Sequence, residues 1–561
     1  VIVQKEITDA VQSACRALGL PESPFTVDPI KLADSPRGKL GRGDYASNVA
    51  FILSKLTGTS TLELAQTLVG ELSAHKIEGV EHIEVAGAGF INFFLSPDVF
   101  HRTLTEASTN PDYGKSSTYA GKKVIVEYTD TNPFKLFHIG HLMSNAIGES
   151  LSRLIEWGGA EVKRADYQGD IGLHVAKAIW GIQHSGEAAD SVSALGKAYA
   201  LGATAYESDE QAKKEIQEIN KKVYERSDPE INKIYDVGRK ISLDYFESIH
   251  ILLGTHFDYY FFESETGEFG KKIVREHTGG VFEESDGAII YRGEKKGLHT
   301  RVFLNKEGLP TYEAKELGLA QIKYDRYPYD LSVVVTGNEI SEYFKVLIAA
   351  MGEIFPELAA KQKHIPHGML RLPSGKMSSR TGDVLTAEWL IDEVREKIRT
   401  RIAAAEEKKE IVESLDSVSV AALKYSILKQ GVGRDIIFDI DKSISFTGDS
   451  GPYLQYTHAR AASVLSQSTV SAGVDHPEAP GTLERLIFHF PEEVGRAVTE
   501  LAPQRLVSYA NELAGAFNAY YAGNRIVGSE AEAYRVALTT ATRRVLARTL
   551  TLLGMSAPDR M

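Results

Sequence analysis

The sequence predicts a doubly wound parallel-sheet (Rossmann-like) α/β domain with an N-terminal α+β domain before it and a C-terminal all-α helical bundle after it. Three observations carry that prediction. Short β-rich runs alternate with helical stretches between residues 122 and 351, a strand-like tract accompanies helical spacing in the first 110 residues, and almost everything after 387 reads helical. With 561 residues the chain exceeds what one hydrophobic core usually serves, so several domains are expected.

Residues 1–112 form the first unit. Val49, Ile52, Leu53 and Leu56 follow helical spacing, and Glu84 to Leu95 is strand-like and carries Gly87 and Gly89. The turn-rich stretch Ser108 to Gly121 interrupts both periodicities and reads as a linker. Residues 113–386 form the second unit. Lys122 to Thr129 predicts a strand, Asn132 and Pro133 a loop, and Leu142, Ala146, Ile147, Leu151, Leu154 and Ile155 a helix. Further strands are expected at Glu161 to Ala165, Arg301 to Leu304 and Leu331 to Thr336, alternating with helices at Tyr312 to Ile322 and Tyr343 to Met351; alternation places all of them in one parallel sheet. A polar, Lys/Glu-rich helical stretch at about 186–255 reads as an insertion. Residues 387–561 form the bundle.

Composition narrows the class. Hydrophobic residues make up 43% and charged residues 25%, the balance of an ordinary globular protein rather than a disordered or fibrous one. No apolar run approaches the roughly 20 residues that span a bilayer, and the N-terminus lacks a signal-peptide pattern, so the expected compartment is the cytoplasm, with no membrane contact. Cys15 is the one cysteine, which excludes an intrachain disulfide and a Cys-rich zinc site; no resident metal is expected. A net charge of −13 does not exclude a nucleic-acid partner, because a basic or aromatic footprint can be local. Residues 451–561 hold ten arginines, no lysine and ten acidic residues.

Two segments suggest chemistry. Lys135, His138, Gly140 and His141 lie where a strand hands over to a helix, the place where open α/β sheets bind nucleotides. The helix N-terminus offers free N–H groups, Gly140 permits close approach, and two imidazoles can donate to phosphate oxygens. Taken alone the pair could equally ligate zinc or sit in a core, and a second His-x-x-His at His364 and His367 shows how common the spacing is. The other segment is Lys376, Met377, Ser378, Ser379 and Arg380, in a Gly/Pro/Ser-rich stretch. Cations and hydroxyls on a loop suit a transferring phosphoryl group, though a lone Lys-x-Ser is more often a solvated surface loop.

HIGH and KMSSR in this order resemble the two signatures of class I aminoacyl-tRNA synthetases. The tracts VEYTDTNPFKLFHIGHL, TYEAKELGLA, GPYLQYTHAR and the terminal SAPDRM are similar to those of the arginyl-tRNA synthetase family, and GDYASNVAFILSK and GAGFINFFL resemble its appended tRNA-binding domain. The resemblance covers nearly the whole chain. It implies ATP-dependent ligation of L-arginine to tRNA(Arg) through an arginyl-adenylate, with Mg2+ accompanying ATP, and activation that requires bound tRNA. His138, Gly140, His141, Lys376, Met377 and Ser378 would bind ATP, and Lys135, His138, His141 and Lys376 would serve the chemistry. Other readings are a class I synthetase for another amino acid, an adenylyltransferase that works without tRNA, or a non-catalytic tRNA-binding paralogue. A monomer is expected.

Three departures from the family pattern matter. Class I enzymes at large carry a second lysine where this chain has Ser379, and loss of such a cation should cost roughly 2 to 4 kcal/mol of barrier unless another group replaces it. Lys135, three residues before HIGH, is the candidate replacement. The resemblance assigns arginine binding to Glu127, Asn132, Tyr312 and Glu316, the last standing where the family more often has Asp. A guanidinium wants carboxylates in bidentate reach and an aromatic face, and Tyr312 and Glu316 would share one helix face. A family glutamine falls in GNEISEY, which leaves the parts of Glu339 and Ile340 open. For RNA, Tyr453, Tyr456 and Arg460 have stacking and phosphate-binding groups at helical spacing, and the same spacing also packs bundle cores.

Overall fold

A computed structural model describes residues 2–30, 43–186, 189–373, 385–404, 414–474 and 479–561. In the N-terminal unit, helices α1 (Ile2–Ala17), α2 (Val49–Thr57), α3 (Thr61–Ser73) and α4 (Pro97–Thr109) accompany an antiparallel sheet. Its strands are β1 (Val27–Pro29), β2 (Tyr45–Ser47), β3 (Val80–Ala86) and β4 (Phe90–Leu95), in the order β1-β2-β4-β3. The expected single tract from Glu84 to Leu95 is therefore a hairpin, folded at Gly87 and Gly89. Val11, Leu53, Leu68 and Phe93 fill the core between helices and sheet, and Phe488 from the C-terminal bundle completes it.

In the central unit β5 (Lys123–Glu127) leads through α5 (Ile139–Trp157) to β6 (Glu161–Gln168). Four helices follow: α6 (Leu173–Ser185), α7 (Val192–Ser208), α8 (Glu210–Glu225) and α9 (Pro229–Leu253). Helix α6 precedes the stretch read as an insertion, yet shares its core, where Val175, Ile179, Leu195, Ile216 and Ile231 pack around Phe134. Next come β7 (Tyr259–Phe262), α10 (Glu263–Glu276), β8 (Glu283–Ser285), β9 (Ala288–Tyr291), β10 (Arg301–Leu304), α11 (Tyr312–Arg326) and β11 (Leu331–Gly337). Then α12 (Ser341–Ile354), α13 (Pro356–Ala360), β12 (Gln362–His367) and β13 (Leu370–Arg371) close the unit.

Five of these strands form one parallel sheet in the order β12-β11-β5-β6-β7. Chain order runs outward from β5 through β6 and β7, then restarts on its other side with β11 and β12. The switch point thus lies between β5 and β11, where an open sheet leaves a crevice beyond its strand ends. One expectation is corrected. Arg301 to Leu304 is a strand but not of this sheet; it pairs antiparallel with β9 in a separate three-stranded sheet. Asp286 and Gly287, with φ of 49° and 80°, form the two-residue turn that joins β8 to β9 as a hairpin, and β10 pairs with the free edge that this hairpin leaves on β9.

The C-terminal part holds α14 (Ala387–Ala404), α15 (Leu415–Leu428), β14 (Ile436–Ile437), α16 (Ile440–Ser443), α17 (Gly451–Gln467), α18 (Thr482–Glu500), α19 (Pro503–Gly523) and α20 (Glu532–Leu552). β14 pairs with β13, and one continuous core runs from Leu142 and Leu151 of α5 through Val418 and Leu454 to Leu513 and Leu546. Each such leucine contributes about 1.5–3 kcal/mol by leaving water. The bundle therefore rests on the helix that carries the histidine pair. Polar contacts reinforce the seam: Ser150 donates to the Leu552 carbonyl (3.0 Å) and Arg153 to that of Thr551 (2.9 Å).

Candidate functional site

The crevice beyond β5 is entered by strained backbone. Thr129 (φ 82°), Asp130 (φ 54°) and Phe134 (φ 69°) all adopt left-handed conformations, which for a β-branched residue such as Thr129 is an outlier costing about 1–3 kcal/mol. Helix α5 holds the strain in place. Ser144 accepts from the Thr129 N–H (3.0 Å) while donating to the Val335 carbonyl (2.7 Å), and Asn145 donates to the Thr129 hydroxyl (3.1 Å). Phe134 is fully buried, and its N–H donates to Ser242 of α9 (2.9 Å).

His138 and His141 cap α5 reciprocally. The Nδ1 of His138 accepts from the N–H groups of Gly140 (3.1 Å) and His141 (3.4 Å), and the His138 N–H donates to His141 Nδ1 (3.2 Å). Their rings stack at 3.6 Å between centroids. Burial and the nearby Lys135 push the His138 pKa down to about 4; burial, His138, Lys135 and His250 hold His141 well below its ordinary value. Both are neutral at pH 7. With each Nδ1 accepting, each proton sits on Nε2 and is available as a donor. The amide nitrogen of Asn132 lies 3.4 Å from His141 Nε2, so two donors face one spot where an acceptor oxygen would satisfy both.

Lys135 borders this spot, its ammonium 5.1 Å from the Tyr199 ring centroid. Burial and Lys177 lower its pKa, with Glu263 opposing. Lys376, Met377 and Ser378 lie outside the described residues. The chain directly after that segment is anchored at the histidines: the Ile139 N–H donates to the Leu385 carbonyl (3.2 Å), and the Ala387 N–H to that of Phe137 (2.9 Å). Directly before it, Leu370 is buried in the core with Leu142.

On the opposite face of β5 lies an acidic slot. Glu127, 1% exposed, pairs with Lys323 of α11 at 2.7 Å, and its second oxygen is buried without a hydrogen-bond partner among the described residues. Burial and Glu127 raise the Glu316 carboxyl well above its usual range, only partly countered by Lys323. Lys315 of α11 pairs with buried Glu263 at 2.6 Å. Tyr312 is 62% exposed at the slot's rim, its ring 5.3 Å from the Lys315 ammonium, and its carbonyl accepts from Tyr343 (3.2 Å). Glu127, Asn132, Tyr312 and Glu316 thus gather around the switch point. Glu339 is exposed at the end of β11 with its carboxylate folded back over Gly337, where an added Cβ would meet it at 2.2 Å; Ile340 packs against the core beneath α12. Reading the sequence missed Asp130, Asp166, Lys323 and Tyr343, because nothing in their spacing marks them.

In the bundle, Tyr453 and Tyr456 are half-buried against the core. The Tyr453 hydroxyl accepts from Asn518 (3.1 Å), which ties it to α19. Arg460 lies between the rings of Tyr456 (4.8 Å) and Tyr521 (5.4 Å), and lines an open groove with Arg543, Arg560 and Met561. Among the described residues no helix is long and apolar enough to cross a membrane, and no group of three or more His, Cys, Asp or Glu could hold a metal ion.

Comparison with known proteins covers the whole chain. Residues 104–440 match the family described as tRNA synthetases class I (R), catalytic domain; residues 2–95 match the arginyl tRNA synthetase N terminal domain, and 454–561 the DALR anticodon binding domain. The arginine–tRNA ligase of Ligilactobacillus salivarius is 32% identical over 547 residues, spanning 93% of this chain and 94% of its own. The structure of Thermus thermophilus arginyl-tRNA synthetase superposes with a TM-score of 0.74 at 23% identity, covering 100% of both chains. That of Plasmodium falciparum arginyl-tRNA synthetase gives 0.78 at 20%, covering 100% of this chain and 99% of the other.

Proposed function

The chain belongs to the arginyl-tRNA synthetases, a family of class I aminoacyl-tRNA synthetases, and from that premise we propose how its own residues divide the work. It ligates L-arginine to tRNA, using ATP. The observation that carries the choice of amino acid is the acidic slot, where a buried Glu127 oxygen has no hydrogen-bond partner among the described residues and Glu316 lies within electrostatic reach. A guanidinium supplies the missing donors in a planar fork.

In the first step the arginine carboxylate attacks the α-phosphorus of ATP in line, pyrophosphate leaves, and arginyl-adenylate forms. His138 and His141 donate their Nε2 protons to phosphate oxygens, and Asn132 adds a donor beside them. Lys135 neutralises charge on the departing pyrophosphate, joined by Lys376 and Ser378 from the KMSSR segment; support for that meeting is the pair of backbone bonds that tie Leu385 and Ala387 to the histidine turn. Mg2+ would arrive on the ATP phosphates and be held mainly by them and by water, since the described residues offer no ligand cluster. In the second step the 2′-OH of the terminal adenosine attacks the activated carbonyl and AMP leaves. Positioning and electrostatics suffice for both, without a covalent protein nucleophile.

The bundle reads the anticodon, with Arg460 and Tyr456 in its groove as phosphate and stacking contacts, and the N-terminal unit touches the outer corner of the tRNA. Tyr453, hydrogen-bonded to Asn518, serves the bundle's packing. The reaction is tested by ATP–pyrophosphate exchange across the standard amino acids, with and without tRNA(Arg). Exchange with arginine in the presence of tRNA is expected; exchange with a different amino acid, or none with tRNA present, would overturn the reading.

A further inference from the structure

We propose that Asp130 is the carboxylate that receives the α-ammonium group of the arginine substrate; this rests on the reading of the slot as an arginine pocket. Asp130 stands three residues beyond Glu127, in the strained turn at the switch point, and is half-buried. Its Oδ1 accepts one long hydrogen bond, from the Tyr167 N–H at 3.3 Å, and among the described residues no cation pairs with it.

The neighbouring carboxylates differ. Glu127 is paired with Lys323, Glu263 with Lys315 and Asp170 with Arg239, while Asp166 accepts from Thr131 and Gln168. Asp130, Glu316 and Asp166 have no ion-pair partner among the described residues, and Asp166, fully buried, is already filled by the hydrogen bonds from Thr131 and Gln168, which leaves Asp130 and Glu316 open to a cation. Free arginine carries two cations, a guanidinium at one end and an ammonium beside the reacting carboxylate. The match in number assigns one to each.

Geometry orders them. The Asp130 carbonyl accepts from Asn132 (3.3 Å), whose amide also faces His141, so Asp130 sits at the end of the slot where the phosphate donors converge. Glu316 lies on α11, across the slot. The substrate carboxylate must reach the α-phosphorus above the histidines, which brings the ammonium, one carbon away, to Asp130 and leaves the guanidinium for Glu316. Burial, Glu127, Asp166 and Glu316 all raise the Asp130 carboxyl well above its usual range, as expected of a group whose counter-ion arrives with the ligand.

The test compares two ligands on the full chain with tRNA(Arg) present: arginine, and 5-guanidinopentanoate, which lacks only the ammonium. Calorimetric titration of Asp130→Asn should show arginine weakened roughly ten- to hundredfold and 5-guanidinopentanoate changed less than about threefold. Glu316→Gln should weaken both. Equal weakening of both ligands by Asp130→Asn, or no weakening of arginine, would overturn the proposal. Asp130→Ser with a melting curve guards against misfolding, and loss of folding in both variants would assign Asp130 a structural part instead. If wild-type chain binds no arginine, or Glu316→Gln changes neither ligand, the pocket reading itself has failed.

Discussion

Lys424 and Leu253 meet across the seam between bundle and central unit: the buried Lys424 ammonium donates to the Leu253 carbonyl at 2.6 Å and, within the bundle, to that of Gly554 at 2.9 Å. Burial lowers its pKa to about 8, with Glu149 opposing. Between pH 8 and the ordinary lysine value the unfolded chain binds more protons than the folded one, so this residue makes stability rise with pH in that window, by roughly 3 kcal/mol at most. Denaturation midpoints from pH 7.5 to 10.5 should show wild type gaining on Lys424→Met. A difference that stays flat or shrinks would remove the buried ammonium from the account.

The histidine pair separates folding from chemistry. His138→Asn keeps a capping acceptor and should melt near wild type, while His138→Ala should lose about 1 kcal/mol; both should slow adenylate formation sharply. The His138 pKa of about 4 lies below its unfolded value, so its contribution is complete above pH 6.5 and is lost as pH falls toward 4. Single-turnover rates near wild type in both variants would free the ring from the reaction.

The role proposed for Lys135, replacing the cation absent at Ser379, has its own test. Lys135→Ala should lower the activation rate by roughly 10²–10³ while the arginine KM changes little. Pre-steady-state exchange with saturating arginine checks this, and an unchanged rate would mean that another cation serves the leaving pyrophosphate.

Helix α11 owes its position to a close crossing with α10. A Cβ added at Gly270 would lie 1.7 Å from the Ala314 carbonyl oxygen, and the backbone of α11 has to move. Because α11 bears Tyr312 and Glu316, Gly270→Ala should raise the KM for arginine severalfold more than that for ATP. Parallel changes in the two constants would count against α11 as the wall of the amino-acid pocket.

Legibility in the sequence followed the range of the forces involved. The strands at 123–127, 161–168 and 331–337 and helix α5 show in their periodicity because burial of one face imposes it locally. The hairpin whose free edge takes Arg301 to Leu304 turns at Asp286-Gly287, and which sheet a later strand joins is a long-range pairing that the alternation of strands and helices does not specify. Strand β7 is four aromatic residues in a row and β12 has Ile365 and Pro366 as its apolar residues, so neither carried an alternation that could stand out.

By itself the sequence determined the reaction class, through the histidine and KMSSR segments. Only the tertiary structure decided which carboxylates are answered by a cation and which await one. Glu127 and Lys323 are 196 residues apart, and Asp130 and Glu316 stand in different elements of the crevice. Charge interactions depend on distance and on exclusion of water, neither of which is a property of spacing along the chain.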